Sequence, residues 1–113
     1  FEQVQQMEYN QLHIVTGAVN DKDLDAGLNL FPLNALYYFC KPDIPRGLDA
    51  QQLLQMAADK GLQGEHYASV QQALATALNN ASQNDLILIC GSIFVVAEAL
   101  PAFTALTNKT ESI

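Results

Sequence analysis

Positive charge is scarce in this sequence. Five Lys and Arg stand against 12 Asp and Glu in 113 residues, for a formal net charge of −7. A protein that grips duplex nucleic acid needs a basic footprint, so nucleic acid is not an expected partner. An anionic membrane surface is excluded on the same ground. No apolar run approaches the roughly 18 residues of a bilayer span. Charged residues of either sign reach only 15%, whereas 50% of the chain is hydrophobic. That excludes a disordered chain, which lacks the apolar area to offset chain entropy.

Cysteine is scarce too. Cys40 and Cys90 are too few for a disulfide scaffold. Each ends an apolar run, where a reduced thiol packs as a small hydrophobe. Reduced thiols without a signal peptide point to the cytoplasm, and in that setting the sequons at Asn80 and Asn108 are chance matches. No CxxC or HExxH spacing occurs, so no metal site is expected. GxGxxG and GxxxxGK[ST] are missing, so the chain should not hold ATP phosphates by itself. GxSxG is missing, which leaves no nucleophilic serine. His13 and His66 lack a Cys, Ser or carboxylate at a diagnostic spacing and are read as structural. No catalytic residue is assigned. The chain opens on Phe-Glu-Gln-Val rather than Met, so an excised piece of something larger is expected.

What is present is a regular alternation of strand and helix patterns. The length fits one domain over residues 1–113. Short β-branched or aromatic runs bounded by Gly, Asn or Pro predict strands β1 (Leu12–Gly17), β2 (Leu36–Cys40) and β4 (Leu86–Cys90). A weak strand β3 is expected at Glu65–Tyr67. Helical spacing predicts a helix over 1–9 and another from Leu24 to Phe31, capped by Asp21 or Asp23 and stopped by Pro32. Two more helices follow Asp49 and Ser69, with Gly61 just past the first. A last one should run from Ile93 to Leu100. Such alternation means right-handed crossovers and a parallel sheet with helices on both faces, a three-layer α/β Rossmann-like domain. The simplest doubly wound order is β3-β2-β1-β4. The unbroken run of β4 fits a strand covered on both faces. Strand β1 would hold Cys40 and Cys90 two strand spacings apart, beyond the reach of a disulfide.

Ligands of open α/β sheets bind beyond the carboxyl ends of the strands, where the strand order reverses. Here that point lies between β1 and β4, where the segment from Gly17 to Asp23 meets Gly91-Ser92. Lys22, Lys41 and Arg46, three of the five cations, follow β1 and β2 on this edge, which fits an anionic group. The alternative is that Lys22 pairs with Asp21 or Asp23 in solvent, where pairs contribute little. Gly91-Ser92 stands at a strand-to-helix turn, where free N–H groups favour an anion. Ser92 there reads either as a ligand contact or as a plain helix cap.

Taken together, Leu12-His-Ile-Val-Thr-Gly-Ala-Val-Asn-Asp-Lys-Asp23, Tyr37-Tyr-Phe39, Pro45-Arg46-Gly47 and the run Asp85 to Glu98 with Gly91-Ser92 resemble folylpolyglutamate synthase/dihydrofolate synthase. The match is to the C-terminal domain, related to that of the Mur ligases, from about Phe1 to Leu100. The resemblance implies an ATP- and magnesium-dependent ligase of folate metabolism. A folate or pteroate carboxylate is phosphorylated, and the amino group of L-glutamate attacks the acyl phosphate. It implies that ATP and magnesium are bound mainly by a larger N-terminal domain, the partner of this one, and that this domain closes over the nucleotide and helps to place glutamate. By motif match Ser92, with Gly91, resembles the glutamate-side contact. Asp21, Lys22 and Asp23 match the family's cleft loop, and Arg46 matches its P-R-G arginine. The family's Asp-Gly-Ala-His-Asn segment and an antiparallel first strand would precede Phe1. The resemblance therefore implies a fragment that is inactive alone. The competing reading is a stand-alone Rossmann-like module that binds an anion, a small ligand or a protein. Flavodoxin and receiver patterns fit poorly, because Gly17 is followed by Ala-Val-Asn and β3 ends in Tyr67-Ala68 where a receiver needs an acceptor Asp.

Overall fold

The computed structural model describes residues 10–19, 24–45 and 47–91. The expected helices over 1–9 and 93–100 lie outside them. Four strands form one parallel sheet in the order β3-β2-β1-β4. The strands are β1 Leu12–Gly17, β2 Leu36–Cys40, β3 Gln63–His66 and β4 Leu86–Gly91. The helices among the described residues are α1 Leu24–Leu28, α2 Ala50–Asp59 and α3 Val70–Asn80. The doubly wound α/β class and its strand order are as expected.

The sheet's two faces are set by period-2 alternation. Leu12, Ile14, Tyr37 and Phe39 share one buried cluster with Leu28 of α1 and with Leu53 and Ala57 of α2. Val15, Tyr38 and Cys40 share the other with Val70, Ala73, Leu74 and Ala77 of α3. The connections from β1 to β2 to β3 step one way across the sheet. The connection from β3 to β4 steps back past β1. Right-handed crossovers then place α1 and α2 on one face and α3 on the other. Cys40 and Cys90 form no disulfide and pack against opposite clusters, with β1 between them.

Two boundaries and the burial of one strand differ from expectation for physical reasons. Helix α1 stops at Leu28 rather than Phe31. Gly27 lowers its helix propensity by about 1 kcal/mol, and Leu30, 76% exposed, has nothing to pack upon. Strand β3 begins at Gln63, before the expected Glu65, because the ladder pairs Leu36 with Gln63 and Tyr37 with Gly64. A Cβ at Gly64 would run into the Tyr37 backbone carbonyl, so this strand keeps a glycine where a β-former is the usual signal. Strand β4 is only half-buried over Leu86–Cys90, despite its apolar run. It is an edge strand among the described residues, whereas β1, paired on both sides, is buried throughout.

Helix ends follow the expected chemistry. The Asp49 carboxylate accepts the Gln52 N–H and the Ser69 hydroxyl accepts the Gln72 N–H. The Gln72 side chain accepts the Ala68 N–H in return, a reciprocal cap. Gly61 beyond α2 has φ +85, a left-handed conformation that favours glycine.

At the amino edge of the sheet lies a buried polar network. His13, 2% exposed, places Nε2 at 2.8 Å from Asp85 Oδ2 and Nδ1 at 2.9 Å from the Tyr38 hydroxyl. Asp85 Oδ2 also accepts the Ser82 N–H at 2.9 Å, and Asn80 Nδ2 donates to the Tyr38 hydroxyl at 3.4 Å. The Ser82 N–H, then the His13 ring, hold the Asp85 carboxyl below its ordinary value of 3.8. An ionised Asp85 can only accept, which assigns a proton to Nε2. Nδ1 meets the Tyr38 hydroxyl on the other side of the ring. The structural reading of His13 fits this setting.

Candidate functional site

The carboxyl ends of β1 and β4 are adjacent, with Thr16 opposite Cys90 and Gly17 opposite Gly91. This is the reversal point of the sheet, since β1 is followed in sequence by β2 on its other side. The chain leaves it in two directions, toward Ala18 and Val19 and toward residue 92. Burial among β1 and β4 raises the pKa of the Cys90 thiol, so it stays protonated beside Thr16.

The loop after β2 folds back onto the exit of β1. Leu48 N–H donates to the Ala18 carbonyl at 2.8 Å, and Val19 and Gly47 form an antiparallel bridge. Within the loop, Ile44 N–H donates to the Pro42 carbonyl at 2.8 Å and Gly47 N–H to the Ile44 carbonyl at 3.0 Å. A Cβ on Gly47 would stand 2.5 Å from the Pro42 oxygen and 3.2 Å from the Ile44 oxygen. The Gly of Pro45-Arg46-Gly47 is thus a packing requirement, independent of any role of the arginine. Sequence reasoning missed this bridge, and the turn-forming Pro-x-x-Pro-x-Gly from Pro42 to Gly47 was its signal.

Of the residues singled out from sequence, Gly91 is described and ends β4 at the reversal point. Asp21, Lys22, Asp23, Arg46 and Ser92 lie outside the described residues. Their described neighbours, Val19, Leu24, Pro45, Gly47 and Gly91, flank them in the chain. Lys41 is exposed just past β2. It lines a cleft of about 370 Å³ with Asp49, His66, Tyr67 and Gln72, between the carboxyl ends of β2 and β3 and the starts of α2 and α3. A smaller cleft of about 210 Å³ adjoins it, lined by Lys41, Asp43 and Ser69. The first holds cation, carboxylate and imidazole together, and both helix caps beside it are engaged within the chain. It therefore carries no clear charge preference. Among the described residues no group of three His, Cys, Asp or Glu could hold a metal ion. No described helix is long and apolar enough to cross a membrane.

Comparison with known proteins bears on this edge. A family model described as "Mur ligase, glutamate ligase domain" matches residues 1–93. The chain is 36% identical over 107 residues to a probable bifunctional folylpolyglutamate synthase/dihydropteroate synthase of Haloferax volcanii, over 93% of this chain and 13% of that protein. It is 33% identical over 92 residues to dihydrofolate synthase/folylpolyglutamate synthase of Escherichia coli, over 80% of this chain and 21% of that protein. A solved structure of E. coli FolC in complex with DHPP and ADP superimposes with a TM-score of 0.81 at 27% identity, over 94% of this chain and 25% of that one. The chain thus spans between 13% and 21% of the length of these curated relatives.

Proposed function

The chain belongs to the Mur ligase, glutamate ligase domain family, and from that premise we propose that it is the C-terminal domain of an ATP-dependent ligase. The reaction adds L-glutamate to a folate or dihydropteroate carboxylate through an acyl phosphate. ATP and magnesium are held mainly by an N-terminal domain of the same enzyme, and this domain closes over the nucleotide and orients glutamate. The described residues contain no cluster fit for magnesium, so no step is assigned through the ion here.

One observation carries the reading. The exits of β1 and β4 are paired at Gly17 and Gly91, and the P-R-G loop is bridged to Val19. The three segments that carry the family's motifs therefore leave from one edge of one sheet. An amino acid with two carboxylates suits a rim bearing Lys22, Lys41 and Arg46 in a chain of net charge −7. In this reading the Ser92 hydroxyl and the N–H groups after Gly91 hold a glutamate carboxylate, and Asp21, Lys22 and Asp23 line the interdomain cleft. Such groups act by fixing the amine in line with the acyl phosphate, so they contribute through orientation and charge rather than covalent chemistry.

The test uses the whole enzyme with dihydropteroate and with a reduced folate as separate acceptors, reading phosphate release and the glutamyl product. Both acceptors being used means a bifunctional enzyme. Ser92→Ala should raise the KM for glutamate about tenfold, the worth of one hydrogen bond to a charged group, and leave the KM for ATP unchanged. The isolated 113-residue chain should show no ligation. Ligation by that chain alone, or none by the whole enzyme, overturns the reading. Saturable glutamate binding by the isolated chain without ligase activity in the whole enzyme would favour a stand-alone binding module.

A further inference from the structure

His13 and Asp85 lie at the end of the sheet opposite the proposed glutamate site, yet they join the two strands that lead to it. Strand β4 is held to β1 by its ladder, by half-buried apolar contacts and by a side-chain link at its start. At the carboxyl end Thr16 stands opposite Cys90 and Gly17 opposite Gly91 in the ladder. At the amino end the link is His13 Nε2–H to the Asp85 carboxylate at 2.8 Å, with side chains 2% and 7% exposed. Backbone bonds flank it, from Leu86 N–H to the Gln11 carbonyl and from Asn10 N–H to the Asn84 carbonyl, both 3.0 Å.

The His13 ring is itself braced. Its second nitrogen meets the Tyr38 hydroxyl on β2, which meets Asn80 at the end of α3. Asp85 is tied to Ser82 in the turn between α3 and β4. The imidazole therefore refers the start of β4 to β1, β2 and the end of α3 at once. An extended strand has a fixed rise of about 3.3 Å per residue and does not stretch, so an offset at its start is delivered at its end.

We propose that His13 is a positioning residue for glutamate ligation: through Asp85 it sets the height of β4 against β1, and thereby where Gly91 presents the residue that follows it. The catalytic consequence rests on the function proposed above; the mechanical one does not.

Two variants separate the two ring contacts. In His13→Asn the amide falls near Nδ1 and keeps the Tyr38 side while abandoning Asp85. In His13→Gln the amide reaches toward the Nε2 position and keeps an N–H for Asp85. Both are made in the whole enzyme, with Asp85→Asn as a third variant. Amide hydrogen exchange is the first readout. His13→Asn should speed exchange about tenfold at Cys90 and Gly91, the far end of β4, with Phe39 and Cys40 of β2 unchanged. Glutamate kinetics is the second. The KM for glutamate should rise about tenfold in His13→Asn with kcat and the KM for ATP little changed, and His13→Gln should restore it to within about twofold. Faster exchange confined to Leu86 and Ile87, or a glutamate KM that does not move while the Cys90 end loosens, overturns the proposal. Equal increases in both KM values would mean general loosening and overturn it as well. If the parent enzyme does not ligate glutamate, the proposed function falls. The exchange pattern alone then decides whether His13 sets the far end of β4.

Discussion

At the amino edge of the sheet, polar side chains answer one another; at the carboxyl edge, they line clefts. The buried His13, Tyr38 and Asp85 side chains and the exposed Asn80 form one network that joins β1, β2, the end of α3 and the start of β4. No buried side-chain N or O among the described residues lacks a partner. At the other edge Lys41, Asp49 and His66 are exposed around a cleft, and the chain leaves the sheet through loops. The backbone there is nevertheless tightly specified, since Gly47 admits no Cβ and the loop after β2 is bridged to the exit of β1. The difference teaches a division of labour. Buried polar side chains stabilise the fold at one edge, whereas at the other the loop backbone and the Asp49 and Ser69 caps do so, with Lys41 and His66 left exposed.

The largest effect on stability is expected at the amino edge. His13→Ala leaves a cavity and takes one partner each from the buried Tyr38 hydroxyl and from Asp85, which together should cost about 3 kcal/mol in urea unfolding. A loss below about 1 kcal/mol, the level of an average substitution, would break the contrast. Next comes a backbone position at the carboxyl edge. Gly47→Ala forces a methyl to within 2.5 Å of the Pro42 oxygen. It should cost about 1–3 kcal/mol as overpacking does, with thermal unfolding as the readout. An unchanged transition would mean that the loop yields freely and that the backbone at this edge is not the specified part.

The two edges differ in how much of each could be read from sequence. Strands β1 and β2 were legible to the residue, because Leu12–Gly17 and Leu36–Cys40 are compact β-forming runs between breakers. The order β3-β2-β1-β4 followed from the alternation and from the handedness of crossovers. Strand β3 was misplaced because its register depends on Gly64 lying against Tyr37, a contact between strands with no local signature. The amino-edge network was not legible either. His13 and Asp85 are 72 positions apart, and only the β1–β4 ladder makes them neighbours. At the carboxyl edge the meeting of Gly17 with Gly91 was foreseeable from the reversal of strand order. The bridge from Val19 to Gly47 needed the folded loop to be seen.

A smaller effect should appear as pH dependence at the amino edge. The Ser82 N–H and His13 lower the Asp85 pKa in the folded state. A depressed carboxylate stabilises the fold fully above its ordinary value of 3.8, and that contribution is lost as the pH falls through 3.8 toward the lower folded value. The melting temperature of the parent should therefore fall more steeply than that of Asp85→Asn over roughly pH 5 to 3. Parallel curves would mean that Asp85 titrates alike in both states.

The smallest effect is expected for Lys41→Ala. The ammonium is exposed past the end of β2, beside a cleft whose helix caps are already engaged by Asp49 and Ser69. An exposed cation of this kind should change the unfolding free energy by less than about 0.5 kcal/mol. The same substitution in the whole enzyme should raise the KM for glutamate in low salt and lose part of that effect in high salt, because attraction at a solvated rim is screened within about 10 Å at 0.1 M. A stability loss above about 1 kcal/mol would place Lys41 among the groups that hold the fold. The carboxyl edge would then resemble the amino edge in the very respect on which they are contrasted.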